Sequence, residues 1–518
     1  MMQNRFFRQL GLVDQERLQS LNVLVSGSNE GIADLIVLFQ QLGIAGGKGR
    51  IGILCEHHKA PTSVFWKLAF PKSATFSELV TTSENKYVVV DCADSDEWDI
   101  HLSLNGSSEH AANLYGRSWG PRALISNEPI AKGQFEHESH PLTPSLRIAC
   151  ASALVETMLT YIGAKNQISV SDAWFTVTCR IETTDTSMAA EYVAGMNGIP
   201  MSYQPTSDGL ATLARVRVPY PMPGNPYQFI NIKKEHQQKQ VDLHHNVGLI
   251  DWNSMPTELD GLTSVLPVDA VMLGVGGLGS WAAPLLAQQM PSGTLHIVDG
   301  DLSIEQHNLN RQVLYNETHV GQAKATVAEQ QLKELNANIT IVAHEEHLLP
   351  GHLNVEEDDE SDELIFDLDE DGPGSYLTDA LTSSSLYFGC LDNMRARTLL
   401  NEAALNFKAT MINGGSESVH AIVERLNASE GCMVCRYGRD SAYESEVISC
   451  TEEGARPIAS IATTTAWAGA MMAALGLIEA SELTEQSAPR LQWHKGAVER
   501  IQVNSKPPWF NEPCLRHI

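Results

Sequence analysis

The stretch from Val271 to Lys324 restricts the possible folds more than any other part of the chain. A short apolar run leads into the turn Gly274-Val275-Gly276-Gly277-Leu278-Gly279, a small-residue and apolar segment follows, and a second apolar run ends at Asp299, twenty residues past Gly279. A buried strand that passes through glycines into a helix and returns as a second strand predicts a Rossmann-like α/β unit. The turn also predicts a nucleotide site. Glycines let the backbone approach phosphate, the helix N-terminus presents unpaired N–H groups, and an acid at this distance can hold ribose hydroxyls. Taken alone, GxGxxG plus Asp favours a dinucleotide.

The residues after Asp299 point elsewhere. Asp301, Asn308, Arg311, Gln312 and Lys324 place a carboxylate, amides and two cations just beyond the nucleotide strand. Hydride transfer has no need of that much phosphate-directed charge. Attack on the α-phosphate of ATP does, because developing negative charge must meet fixed cations. Four features, in order, carry a resemblance: the glycine turn, the Asp299-x-Asp301 strand end, Asn308-x-x-Arg311-Gln312 and the later Lys324. The segment resembles the adenylation core of the ThiF/MoeB and ubiquitin-activating (E1-like) enzyme superfamily. That resemblance implies that Gly274, Gly276, Gly277, Gly279, Asp299, Asp301, Asn308 and Gln312 bind ATP, with Asp299 on the ribose, while Arg311 and Lys324 stabilise phosphate charge. The opening Asn4-Arg5-Phe6-Phe7-Arg8-Gln9 resembles the family's RYxRQ entry segment, which implies that Arg8 reaches from one adenylation unit into the other unit's ATP site. Asp392, after the apolar run Leu386 to Cys390, takes the place of the family's Mg²⁺-associated aspartate. Its other reading is an ordinary N-cap for the helix beginning at Met394.

With 518 residues, 43% of them hydrophobic, the chain is expected to fold as two or more domains with sizeable cores. No apolar run reaches membrane-spanning length, and the opening lacks the basic-then-apolar order of a signal peptide, so a cytoplasmic protein without a membrane partner is expected. Nine scattered cysteines do not form a disulfide framework. A net charge of −28 disfavours nucleic acid and leaves room for a basic protein partner.

The glycine-turn pattern recurs in damaged form near the start. Aligning Asn22 to Ser26 with Ala270 to Gly274 puts Ser26, Ser28 and Gly31 at the three glycine positions and Glu30 in the turn. Continuing the alignment puts Cys55 and His57 at the two aspartate positions. Tyr87 to Ser95 parallels Leu386 to Asn393, and residues 147 to 164 parallel 456 to 477. Recurrence in order predicts an internal duplication; two unrelated Rossmann-like units are the alternative. The expected fold is α/β, with two tandem ThiF-type adenylation domains forming an intramolecular pseudodimer in a monomeric chain. Residues 1–165 would be the degenerate copy, 166–240 an appended strand-rich region and linker, and 241–518 the active copy. Glu356 to Asp371 reads either as a solvated acidic loop or as a docking segment for a basic partner.

Cys450 stands before a helix rich in small residues, where a thiol can be activated as a nucleophile, although Glu452 and Glu453 oppose thiolate formation. A Cys-Thr pair here resembles the catalytic position of compact ubiquitin-activating enzymes. Cys432 and Cys435 form a CxxC pair, and with Cys514 and His517 they match the family's second pair near the C-terminus, with histidine for the last cysteine. The set would hold a structural Zn²⁺, the alternative being that Cys514 and His517 are tail residues. The resemblance implies ATP- and Mg²⁺-dependent adenylation of a ubiquitin-like protein, thioester formation on Cys450 and transfer to an E2-like conjugating enzyme. The closest likeness is to bacterial activating enzymes of conjugation operons linked to antiphage defence. A sulfur-carrier adenylyltransferase that stops at the acyl-adenylate is the other enzyme reading, a non-catalytic scaffold of the same fold the reading of another class.

Overall fold

The computed structural model describes residues 5–9, 12–55, 58–82, 88–90, 97–106, 111–120, 122–126, 140–162, 164, 174–181, 201–205, 212–219, 243–247, 262–353, 375–417, 420–428, 431–434, 460–481, 490–494 and 497–501. They form an α/β protein with three sheets. The first contains β1 (Asn22–Gly27), β2 (Arg50–Leu54), β3 (Val88–Val90), β4 (Ile100–Leu104), β5 (Leu114–Trp119) and β6 (Arg122–Ser126), in the order β3-β2-β1-β4-β5-β6. All its neighbours are parallel except the β5–β6 pair. An antiparallel sheet of β7 (Trp174–Ile181), β8 (Met201–Pro205), β9 (Thr212–Pro219) and β10 (Leu243–Val247) follows. The third sheet contains β11 (Ala270–Leu273), β12 (Gly293–Val298), β13 (Ile339–His344), β14 (Leu386–Gly389), β15 (Thr410–Glu417), β16 (His420–Leu426), β17 (Arg490–His494) and β18 (Ala497–Ile501). Its order, β13-β12-β11-β14-β15-β16-β17-β18, begins with the same crossover pattern as the first sheet. β11 is buried on both faces, as a parallel strand covered by helices must be, which explains its unbroken AVML run.

Seven helices matter for the site: α1 (Asn29–Leu42), α2 (Thr143–Tyr161), α3 (Gly279–Gln289), α4 (Lys324–Lys333), α5 (Ser375–Ser383), α6 (Met394–Asn406) and α7 (Ala462–Glu479). α7 packs on both α2 and α3, and one continuous apolar core runs from the helices of the first sheet to those of the third. Close packing needs small residues, and α7 supplies them. A Cβ on Gly469 would lie 2.5 Å from the Leu278 carbonyl oxygen, and Ala462 through Leu477 are all buried. A helix apolar all round has no face to offer water.

Strand pairing corrects two of the sequence alignments. Ile51 and Ile53 of β2 stand opposite Val23 and Val25, and Leu295 and Ile297 of β12 opposite Ala270 and Met272. With Val23 in the place of Ala270, Gly27 rather than Ser26 matches Gly274. Both glycines have positive φ and both lie against the carbonyl of the next strand, Leu104 and Cys390 respectively. Cys55 keeps its place opposite Asp299, one residue past Leu54 and Val298. The second correction concerns Tyr87 to Ser95. Its β3 is at the sheet edge, as β13 is, and the counterpart of β14 is β4. Both are short apolar strands, and only parallel pairing with β1 distinguishes them.

Candidate active site

The glycine turn lies where β11 enters α3, and its glycines have different tasks. Gly274 has φ +86°, and a Cβ there would sit 2.6 Å from the Cys390 carbonyl oxygen; a Cβ on Gly279 would sit 2.1 Å from that of Gly274. These two allow the tight turn. Among the described residues, the only atom within 4 Å of a Cβ built on Gly276 is Gln312 Nε2 at 3.6 Å. Gln312 is 2% exposed, with an Oε1 that has no hydrogen-bond partner. Among the described residues, no side chain caps the α3 N-terminus. A backbone cradle, a helix start without a side-chain cap and the Gln312 Nε2 donor beside Gly276 fit a bound phosphate group.

The matching end of the first sheet is filled by the protein itself. Ser28 Oγ accepts from Gly31 N at 3.1 Å, capping α1, and Ser28 N donates to the Leu104 carbonyl at 3.1 Å. Asn105, at φ +55°, exchanges hydrogen bonds with Ser118 at 2.7 and 3.1 Å. Two N–H groups of this turn, those of Ser28 and Gly31, are thus already engaged.

In the third sheet, Asp299 Oδ2 accepts from Val275 N at 2.8 Å and Oδ1 from Asp301 N at 3.0 Å, so the carboxylate ties the strand end to the glycine turn. Burial raises its pKa, and Lys324 and the two N–H donors act against that rise. Lys324 pairs with Asp301. The buried Tyr315 hydroxyl donates to the carbonyls of Val275 (3.0 Å) and Lys324 (3.3 Å), linking turn to lysine; burial, then Asp299 and Asp301, hold it in the neutral form.

The 3-10 turn Gln306–Asn310 carries the remaining polar groups. Asn308 Oδ1 accepts from Glu305 N at 2.9 Å and closes that turn. Arg311 lies beside the glycine loop, its Nε 4.0 Å from a Cβ on Gly277, and its Nη1 donates to His307 O and Asn310 Oδ1, both at 2.9 Å. Arg8, Arg311 and Lys324 are 7%, 8% and 6% exposed. The His307 pKa falls to about 4, first through burial and then through Arg311, Arg8 and Lys324. His307 is therefore neutral at pH 7, and its 2.8 Å contact with Glu305 is a hydrogen bond rather than an ion pair. Three buried cations, one from the N-terminal segment, thus act electrostatically on one imidazole.

Asp392 is exposed at the C-terminal end of β14. The N-cap alternative is overturned: Asn393 is the cap, its Oδ1 accepting from Ala396 N at 2.7 Å, and Asp392 accepts a 3.2 Å bond from Asn393 Nδ2. Cys435, Cys450, Cys514 and His517 lie outside the described residues, as does the acidic stretch 356–371. Cys432 is buried, and no group of three or more His, Cys, Asp or Glu side chains that could hold a metal is found among the described residues. Burial pushes the Cys390 thiol up to about 12, which excludes it as a thiolate nucleophile near neutrality. No described helix is long and apolar enough to cross a membrane. Sequence reading missed Arg5, Gln9, Asn310 and Tyr315. Arg5 donates to Leu309 O at 3.0 Å and Asn310 to Gln9 at 3.4 Å, contacts between residues some three hundred positions apart.

Comparison with known proteins agrees with this geometry. Residues 252–506 match the ThiF family. The adenylyltransferase and sulfurtransferase UBA4 of Meyerozyma guilliermondii is 30% identical over 234 residues, 43% of this chain and 48% of the relative. The Saccharomyces cerevisiae (strain S288c) protein of that name is 27% identical over 249 residues, 47% and 49% of the two chains. The sulfur carrier protein ThiS adenylyltransferase of Escherichia coli K12 is 27% identical over 179 residues, 34% and 61%. The chain thus spans about half the length of the UBA4 relatives it matches. Residues 252–506 are thus a ThiF-family domain, of the ThiF/MoeB/E1-like superfamily.

Proposed function

We propose that the chain is an ATP-dependent activating enzyme for a ubiquitin-like protein. The observation that carries this reading is the glycine turn with buried Arg311 and Gln312 beside it, next to a 3-10 turn whose His307 is under the electrostatic influence of buried Arg311, Arg8 and Lys324. Fixed cations beside a phosphate-sized cradle can meet the negative charge that develops on an α-phosphate under attack. A carboxylate is a poor electrophile, so a C-terminal carboxylate oxygen of the partner attacks the α-phosphorus of ATP, the bond to the β-phosphate oxygen breaks, and pyrophosphate leaves. Gly276, Gln312 and the α3 N-terminus bind phosphate, Asp299 holds the ribose and Asp301 fixes Lys324. Mg²⁺, held by Asp392, would neutralise phosphate charge.

In this reading the first sheet and its helices are a duplicated unit that kept the strand order and lost its phosphate donors. The pair forms an internal pseudodimer, and Arg8 is its contribution to the working site. The Cys450 Sγ then attacks the acyl-adenylate carbonyl, AMP leaves, and the thioester passes to the cysteine of an E2-like protein. Cys450 stands ten residues before Ser460, whose N–H donates to Arg8 O at 2.9 Å. Ten residues span at most about 35 Å.

Pyrophosphate exchange into ATP, stimulated by a ubiquitin-like protein with a free C-terminus, is the expected activity, and its absence overturns the adenylation reading. Arg8→Ala is expected to lower exchange about 100-fold; an unchanged rate removes the cross-unit contribution. A DTT-sensitive adduct should form in the wild type and vanish in Cys450→Ala while exchange persists. The names of the relatives favour a second reading, transfer to a sulfur carrier without an obligatory thioester, and exchange with no such adduct in the wild type would select it. A structural zinc on Cys432, Cys435, Cys514 and His517 remains part of the proposal. Metal analysis of purified protein should find one Zn²⁺ per chain, lost on Cys435→Ser.

A further inference from the structure

Gln9 is fully buried and sits between the two units. Its Nε2 donates to the Leu42 carbonyl at 2.9 Å and to Gln15 Oε1 at 2.7 Å. Its Oε1 accepts from Asn310 Nδ2 at 3.4 Å, and Asn310 Oδ1 in turn accepts from Arg311 Nη1 at 2.9 Å. The polarity of this chain is determined at both ends. Leu42 O, the last carbonyl of α1, can only accept, and the Arg311 guanidinium can only donate. Turning over either amide would set oxygen against oxygen or N–H against N–H, so neither amide has a second satisfied state. Asn310 is fully buried too, so water cannot substitute.

We propose that Gln9 and Asn310 are positioning residues through which the C-terminal end of α1 sets the guanidinium of Arg311 at the glycine turn. This rests on the adenylation reading for its catalytic consequence, while the relay itself is a property of the unliganded protein. It gives the first unit a task separate from the charge of Arg8. Its own glycine-turn counterpart has Ser28 N and Gly31 N engaged within the unit, yet the unit orients a cation in the other. Arg5, bound to Leu309 O, secures the same 3-10 turn one residue earlier.

The test compares Gln9→Ala, Arg311→Ala and the double variant with the wild type by two readouts. Hydrogen–deuterium exchange over residues 306–312 of the unliganded full-length protein needs no activity, and Gln9→Ala should speed it at least tenfold. In pyrophosphate exchange Gln9→Ala should lower kcat about tenfold, with KM for ATP changed less than twofold. It should lower nothing further in the Arg311→Ala background, because a residue acting through Arg311 has no effect once Arg311 is gone. Wild-type protection of residues 306–312 in Gln9→Ala overturns the relay, as does an additive loss in the double variant. A wild type without pyrophosphate exchange overturns the adenylation reading instead, and hydrogen exchange then decides the relay alone.

Discussion

Lys324→Met should lower pyrophosphate exchange about 100- to 1,000-fold, the loss typical of removing one preorganised donor from a site of developing negative charge, while leaving the fold standing. Lys324 is a poor choice for stability. It is the first residue of α4, where the helix dipole is positive and acids are favoured, and its ammonium is almost entirely buried. A cation at that end costs about 0.3–1 kcal/mol. Methionine keeps the apolar stem and removes the charge. Asp301, half exposed, is left to water. Asp299 is the opposing term, because Lys324 helps keep this buried carboxylate ionised. The sign of the pH effect follows. Asp299 has a raised folded pKa, so the stability linked to its protonation is present below the unfolded value of about 3.9 and is lost as pH rises through the folded value. Removing Lys324 raises that folded pKa further. Lys324→Met should therefore lose stability near pH 7 and recover it on acidification. Urea unfolding at pH 7 and pH 4.5 should show a net change below about 1 kcal/mol at the higher pH and a shift toward the variant at the lower. Unfolding of the variant at both pH values would make Lys324 a structural residue instead.

How much of this was legible in the sequence follows from where the partners lie. The glycine turn, Asp299, Asp301, Arg311 and Lys324 fall within one continuous stretch from β11 to the start of α4, so local rules of turn and helix formation place them together beyond the strand ends. The α/β class followed from the same segment. The register of the first sheet was misread by one residue because its turn is shorter: α1 starts two residues after Gly27, whereas α3 starts five after Gly274. Ser26 and Gly27 are equally plausible strand ends in sequence, and the difference lies in φ and in the approach of Leu104 O. Gln9, Arg5 and Asn310 carry no motif chemistry of their own. Their meaning comes from bonds made across some three hundred residues, which no periodicity records. Tyr315 reads as a core tyrosine, and core it is; its hydroxyl happens to join the two backbone carbonyls that matter.

Residues 241–518 produced without the first 240 should not form a soluble, cooperatively folding protein, although they contain the whole glycine-turn motif. α7 is buried from Ala462 to Leu477, and a good part of that surface lies against α2 of the missing unit. Phe65 packs on Trp281 at 5.0 Å between ring centroids, and the Thr463 hydroxyl donates to buried Glu156 at 2.8 Å. Each large apolar side chain returned to water costs about 1.5–3 kcal/mol, and a handful of these matches the about 5–15 kcal/mol that holds a domain folded. Arg311 would also lose its relay and Arg8 its place, so any soluble fraction should show pyrophosphate exchange at least 1,000-fold below the intact chain. The wild-type contact surface can be supplied separately. Co-expression of residues 1–240 with 241–518 should return soluble protein as a complex that elutes with the intact chain in size exclusion, with exchange partly restored. A fragment that is monomeric, cooperative in thermal unfolding and as active as the whole chain would leave the first unit with no part in the site. The expectation otherwise follows from the core itself: the helix that closes the nucleotide side has no polar face of its own, so the second unit cannot be finished without the first.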